Sequence, residues 1–239
     1  MRIGLIGYGK MGQAIEKIAL ERGHTLPLKC DSKNKVSAEK LKTVDVAIEF
    51  STPSTVLSNL DILINSNTPT VVGTTGWNNQ LDEITQKVAK HNSGLVHASN
   101  FSIGVNLFFK LNQYLASLMQ SHKEYSAEIE EIHHTQKLDA PSGTAITLAE
   151  GILAKNKHYS SIYCLENDED ATENGLQIKA IRTPDVPGTH TINYTSEIDT
   201  LTIEHTAHKR TGFALGAVVA AEWIVDKQGV YTMQDVLKF

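Results

Sequence analysis

The sequence predicts an α/β chain in which a parallel-sheet domain is joined to a second domain of the α+β kind. Three observations carry this. Short apolar runs alternate with amphipathic stretches from the first residues to about position 99, the pattern of a parallel sheet covered on both faces. Near Asn100 the rhythm gives way to one long helical pattern and then to several alternating, β-rich stretches. A strongly apolar segment follows near the carboxyl end and is expected to return to the first domain. The expected division is therefore 1–102 with 210–239 as one domain and 103–209 as the other.

Each element has its own warrant. Residues 2–7 (RIGLIG) form a short apolar run ending in glycine, a buried strand by length and flanks. Met11, Ala14, Ile15, Ile18 and Ala19 share one face of a helix over 10–22. Strands follow at 26–31, 44–50, 70–73 and 95–99, with helices at 53–65 and 78–91. A long helix over 103–122 is anchored by Val105, Phe108, Phe109, Leu111, Leu115 and Leu118. Strands are expected at 125–133, 176–182, 189–195 and 201–207, with helices at 143–155 and 212–225. The polar, acidic stretch 158–175 reads as a solvated loop.

Composition excludes several function classes. With 41% hydrophobic and 21% charged residues, 16 glycines and 6 prolines, disordered and collagen-like chains are out. A net charge of −5 and no long basic run argue against a nucleic-acid or anionic-membrane binder. Cys30 and Cys164 fit neither a disulfide framework nor a zinc motif and read as free thiols. The longest apolar stretch, 212–221, is stopped by Glu222, far short of a bilayer span. Residues 1–7 read as a strand rather than a signal peptide, so the expected location is the cytoplasm.

Gly7-Tyr8-Gly9-Lys10-Met11-Gly12 is a G-x-G-x-x-G loop between a strand and a helix. Its glycines permit a tight turn and close backbone approach, and the helix start offers free N–H groups to a pyrophosphate. Asp31 follows roughly 20 residues later at the end of the second strand, placed to accept from ribose hydroxyls. Dinucleotide binding is the reading. Asp31 favours a free 2′-hydroxyl, whereas Lys29, Lys33 and Lys35 offer charge to a 2′-phosphate, so both NADH and NADPH are expected to serve. Gly73, Thr74 and Thr75, then Ala98, Ser99, Asn100 and Phe101, lie at the ends of later strands, where open α/β sheets bind ligands. Residues 50–53 belong to the same rim.

The most informative run spans 131–145, EIHHTQKLDAPSGTA, a strand-to-helix loop. Pro141 cannot sit inside a helix and Ser142 is a fitting N-cap, so the N–H groups of Gly143 and Thr144 form an anion site. Lys137 adds a full positive charge, and His133 or His134 a group that titrates near neutrality. Together they suit a small carboxylate substrate that needs a proton. Two other readings compete. One is a metal site of His133 and His134 with Glu130 or Glu131, disfavoured because adjacent strand residues face opposite sides. The other is a structural loop in which Asp139 pairs Lys137.

The run H-H-x-x-K-x-D-A-P-S-G-T-A at 133–145 resembles the signature of the 4-hydroxy-tetrahydrodipicolinate reductase (dihydrodipicolinate reductase) family of lysine biosynthesis. The resemblance extends along the whole chain, through the glycine loop, G-T-T-G at 73–76, N-F-S-I-G-V-N at 100–106, V-P-G-T-H at 186–190 and R-x-x-F-A-x-G-A at 210–217. It implies a Rossmann-type first domain and a second domain that binds substrate and assembles a homotetramer. By the same resemblance His133 is the catalytic acid/base and Lys137 a second proton donor. His134, Lys137, Gly143 and Thr144 would bind the carboxylates of a dicarboxylate substrate. Residues 7–12, Asp31, Gly73, Thr74, Thr75, Ala98, Ser99, Asn100 and Phe101 would hold NADH or NADPH, with Arg210 and Phe213 beside it. No metal is implied. Ser32 stands where some members place an arginine that contacts the NADP phosphate. The rivals are a dehydrogenase for another small amino or keto acid and a nicotinamide-binding sensor. Neither needs the loop at 133–144.

Overall fold

The computed structural model describes residues 1–164, 174–209 and 211–239. In chain order they form β1 (Arg2–Ile6), α1 (Lys10–Glu21), β2 (Thr25–Cys30), α2 (Ala38–Leu41), β3 (Val46–Glu49), α3 (Val56–Asn65), β4 (Thr70–Val72), α4 (Leu81–His91) and β5 (Gly94–His97). There follow α5 (Ile103–Met119), β6 (Ser126–His133), α6 (Gly143–Lys155), β7 (Ser161–Cys164), β8 (Gly175–Arg182), β9 (Thr189–Thr195) and β10 (Thr200–Thr206). The chain closes with α7 (Thr211–Ile224), β11 (Gly229–Tyr231) and α8 (Met233–Leu237). Two compact units result: Met1–Ile103 with Thr211–Phe239, and Gly104–Arg210.

The first unit is a six-stranded parallel sheet in the order β11-β5-β4-β3-β1-β2. Its strands are apolar on both sides because helices cover both faces. On one face Ile3, Leu5, Val46, Ile48, Val71 and Val96 meet Ile15 and Ala19 of α1 and Ala217, Val218 and Ile224 of α7. On the other, Leu60 and Ile64 of α3 and Ile84 and Val88 of α4 pack over Val72 and Leu95. Helix α7 is apolar nearly all round, as a helix buried at the centre of a layer must be. Its Gly216 is required there, since a Cβ would lie 1.6 Å from the Phe101 carbonyl oxygen.

The second unit is a mixed five-stranded sheet, β10-β9-β6-β8-β7. β6, β8 and β7 run parallel, while β9 and β10 are antiparallel to their neighbours. Strict alternation along β6 sends Ala127, Ile129, Glu131 and His133 inward, and along β9 sends His190, Ile192 and Tyr194 inward. The apolar members pack under α5 and α6 against Phe108, Leu115, Leu148 and Ile152. The polar members, Glu131, His133 and His190, lie at one end of the same buried face.

The departures from expectation are short elements. β11, with only 3 residues, and α2, with 4, carry too little pattern to read, and α8 was likewise unforeseen. β7 occupies the beginning of the stretch expected to be a solvated loop; the rest of that stretch, 165–173, lies outside the described residues. Helix α3 begins at Val56 rather than 53, because Pro53 to Thr55 form a turn closed by the Thr55 N–H on the Thr52 carbonyl at 3.0 Å.

Candidate active site

In the first unit the glycine loop is built as the sequence requires. Gly7 sits at φ +100°, and a Cβ there would lie 2.1 Å from the Phe50 carbonyl oxygen. A Cβ on Gly12 would lie 2.4 Å from the Gly7 oxygen, so α1 starts hard against the end of β1. Around Gly9, by contrast, nothing lies within 4 Å of where a Cβ would project. The first helical bond runs from Gln13 N–H to Gly9 O, and no side chain caps α1. The first-turn N–H groups thus lack intrahelical partners. Beside them is a cavity of about 460 Å³ lined by Gly7, Tyr8, Gly9, Asp31, Ser32, Lys35, Ser51 and Thr52 among others. Open space at Gly9, bare N–H groups and an acid on the rim fit a pyrophosphate and its ribose.

Asp31 Oδ1 accepts from the N–H groups of Lys33 and Asn34, both at 2.8 Å, and these bonds hold its carboxyl below the ordinary value. Of the three lysines considered for a 2′-phosphate, Lys29 is engaged elsewhere. It pairs with Glu16, which also accepts from Tyr8, and its ammonium lies 5.1 Å from the Tyr8 ring centre. Lys35 lines the cavity.

The loop after β4 is tied to this wall through Glu49, a fully buried carboxylate that no motif marks. It accepts from Ser51 Oγ, from Thr74 Oγ1 at 2.6 Å and from Asn59 Nδ2 at 3.0 Å. Thr74 Oγ1 in turn accepts from Ser51 N–H at 2.8 Å. Burial raises the Glu49 pKa despite these donors. Gly73 is pressed on the Phe50 ring, where a Cβ would come within 2.0 Å, and Thr75 is exposed. Asn100 Oδ1 receives the Ser102 N–H at 2.9 Å, and the buried Phe101 ring lies 5.7 Å from that of Phe50. Ala98 and Ser99 follow β5, and Phe213 lies in the first turn of α7. Gly73, Thr74, Thr75, Ala98, Ser99, Asn100, Phe101 and Phe213 do not line the 460 Å³ cavity. Arg210 lies outside the described residues.

In the second unit, strand register assembles the polar cluster. Glu131 is paired with His190 across β6 and β9, and His133 with Arg182 across β6 and β8. Glu131 Oε1 accepts from Ser142 N–H at 3.0 Å and Arg182 Nη2 at 3.2 Å. Its Oε2 lies 3.5 Å from His133 Nδ1 and 3.6 Å from His190 Nε2. Arg182 also donates to the carbonyls of Lys137 (3.4 Å) and Asp139 (2.6 Å), lacing the loop down. Burial alone would raise the Glu131 pKa, but hydrogen bonds from His190 and Ser142 outweigh it and hold the carboxyl at about 2. Burial pushes His133 down to about 4 against the pull of Glu131, so its imidazole is neutral at pH 7.

His134, next in sequence, belongs to a different surface. It lines a cleft of about 270 Å³ with Thr135, Gln136, Pro184, Asp185, Val186 and Pro187. Lys137 pairs with Asp139 at 2.6 Å, the contact expected of a structural loop, and its ammonium keeps the Asp139 carboxyl low. Ser142 caps α6, its Oγ accepting from Ala145 N–H at 3.2 Å, and Gly143 faces open space. The metal reading paired His133 with His134; the residues that converge instead are Glu131, His133 and His190, with one atom of each within 4.8 Å of the others. Arg182 already neutralises the carboxylate, so this cluster is charge-balanced without an ion.

A family model described as dihydrodipicolinate reductase, N-terminus, matches residues 1–101, and its companion, dihydrodipicolinate reductase, C-terminus, matches residues 104–237. The chain belongs to the dihydrodipicolinate reductase family. As a member it is an NAD(P)H-dependent oxidoreductase, with a Rossmann-type first unit. It is 48% identical to a 4-hydroxy-tetrahydrodipicolinate reductase of Christiangramia forsetii over 99% of this chain and 98% of that protein. A namesake from Alkaliphilus metalliredigens is 34% identical over 96% and 95%. Among solved structures, the dipicolinate-bound dihydrodipicolinate reductase from Paenisporosarcina sp. TG-14 is similar with TM-score 0.80 and 25% identity, covering 98% of each chain.

Proposed function

We propose that the chain reduces 4-hydroxy-tetrahydrodipicolinate to tetrahydrodipicolinate with loss of water, in the diaminopimelate route to lysine. The observation that carries this reading is the loop from His133 to Thr144. It joins an ammonium, two imidazoles and a capped helix start, and it falls within the matched C-terminal family model. In this assignment residues 1–102 and 210–239 bind the dinucleotide, and 103–209 bind the substrate and mediate assembly.

NADH or NADPH supplies the hydride. His134, Lys137 and the N–H groups of Gly143 and Thr144 hold the two substrate carboxylates, combining a formal charge with a helix start. Lys137 Nζ stabilises the charge that builds on the conjugated imine as hydride arrives, an effect strongest in a water-poor site. That conjugated imine forms when the substrate hydroxyl leaves as water with a hydrogen of the neighbouring ring carbon. After hydride arrives, a proton from Lys137 or His133 on the resulting enamine completes the reduction. The first-unit residues named above orient the hydride donor, with Asp31 on the adenosine ribose.

We further infer a cytoplasmic homotetramer built through the second unit. No helix among the described residues is long and apolar enough to cross a membrane. Leu107, Leu111, Tyr114 and Leu118 make an exposed apolar stripe on α5, and Leu201 on the edge strand β10 and Ile198 in the turn before it are exposed. Another copy of the chain is the partner proposed, with no role for nucleic acid or membrane.

The test follows NADH or NADPH absorbance with 4-hydroxy-tetrahydrodipicolinate as substrate. Lys137→Ala and His133→Ala are each expected to lower turnover at least about tenfold. Near-normal turnover in both variants refutes the assignment, as does equal consumption of the coenzyme with aspartate semialdehyde alone.

A further inference from the structure

Two residues of the V-P-G-T-H segment, Gly188 and His190, lie against His133. A Cβ on Gly188 would lie 3.0 Å from His133 Nε2, so glycine is what lets the chain pass close to this edge of the buried ring. The His190 ring meets the His133 ring edge-on, with centres 5.0 Å apart and planes at 75°. Opposite both lies Glu131 Oε2, 3.5 Å from His133 Nδ1 and 3.6 Å from His190 Nε2.

The charges decide how these rings are protonated. Arg182 and Glu131 balance each other, and Lys137 lies nearby. A buried imidazolium would therefore carry uncompensated charge. The neutral His133 ring and the His190 ring then face one carboxylate oxygen. A ring nitrogen turned to that oxygen must carry its proton, because a lone pair facing a carboxylate at 3.5 Å is repelled. His133 is thus protonated on Nδ1, while His190 Nε2 lies between Glu131 Oε2 and Ser142 Oγ, the latter at 3.3 Å.

We propose that Glu131 and His190 are positioning residues that hold His133 as the Nδ1–H tautomer, with Nε2 an acceptor under Gly188. This rests on the reading of His133 as a catalytic residue. At neutral pH His133 then takes a hydrogen bond or a proton through Nε2, and the proton that completes the reduction comes from Lys137. Glu131 acts as the carboxylate behind a catalytic histidine does elsewhere, fixing tautomer and ring orientation without touching substrate.

Long-range ¹H–¹⁵N spectra of the full-length wild-type protein at pH 7 read the tautomer directly, with His133→Asn identifying the signals. Pyrrole-type Nδ1 and pyridine-type Nε2 are expected. The reverse assignment, or an imidazolium, overturns the proposal. In Glu131→Gln an amide faces the ring, so the signals should move toward the other tautomer. Its kcat should fall at least about tenfold with the KM for NADH unchanged, and Glu131→Asp should recover part of the loss. A Glu131→Gln enzyme with wild-type tautomer and kcat also overturns it. Because the spectra need no turnover, the expected tautomer beside a fully active His133→Ala enzyme would fault only the catalytic reading of His133.

Discussion

Glu49 in the first unit and Glu131 in the second are both fully buried near the carboxyl ends of strands, yet their pKa values move in opposite directions. Glu49 is met by two hydroxyls and an amide, all neutral, and desolvation prevails. Glu131 is met by a backbone N–H, a guanidinium and two imidazoles, and the donors prevail. Burial alone therefore predicts neither charge nor role. The first carboxylate stitches two loops and helix α3 into one wall. The second works as a fixed negative charge that orders its neighbours.

The strongest way to break this contrast is Arg182→Met, which leaves Glu131 buried without its cation. We expect a loss of about 3 kcal/mol at pH 7 in urea unfolding, narrowing as pH falls and Glu131 takes up a proton. A loss independent of pH would deny that the pair is electrostatic. Acid should act on the wild-type second unit in the same sense. His133 and Glu131 both have depressed pKa values, so their contributions are present above the unfolded values and lost as pH falls through the folded ones. Between pH 6.5 and 4 the His133 contribution alone is about 3 kcal/mol at most. Peptide-resolved hydrogen exchange should show protection falling first around β6, β8 and β9.

Glu49→Gln is the mildest test, costing about 1–2 kcal/mol because one donor is left facing an amide N–H. Its pH dependence has the opposite sign. The raised pKa means that wild-type stability is lost as pH rises through it, whereas the substituted amide cannot ionise. The gap between wild type and variant should narrow on the alkaline side. If instead it widens there, Glu49 is held as a carboxylate by the same logic as Glu131.

The cofactor loop was legible because Gly7, Gly9 and Gly12 act within one strand-turn-helix, and the capped start of α6 because Pro141 and Ser142 act on their neighbours. What stayed hidden depends on strand pairing. His190 meets Glu131 only through the β6–β9 register, which no local pattern encodes. Glu49 left one trace, an acid inside an apolar run, and the Lys29–Glu16 pair depends on a helix facing the strand, which no local pattern shows. The alternation rule did separate His133, which lies in the buried cluster, from His134, which lines the cleft.

Helix α7 lies across β3, β4 and β5 and is specified more than a hundred residues after them. During translation residues 1–103 therefore leave the ribosome with the middle of one sheet face bare and the sixth strand, β11, still unmade. The second unit, continuous from Gly104 to its last strand, is complete before α7 emerges. The first unit's sheet therefore cannot be covered on this face, or gain its sixth strand, until the segment from Thr211 onward has been made.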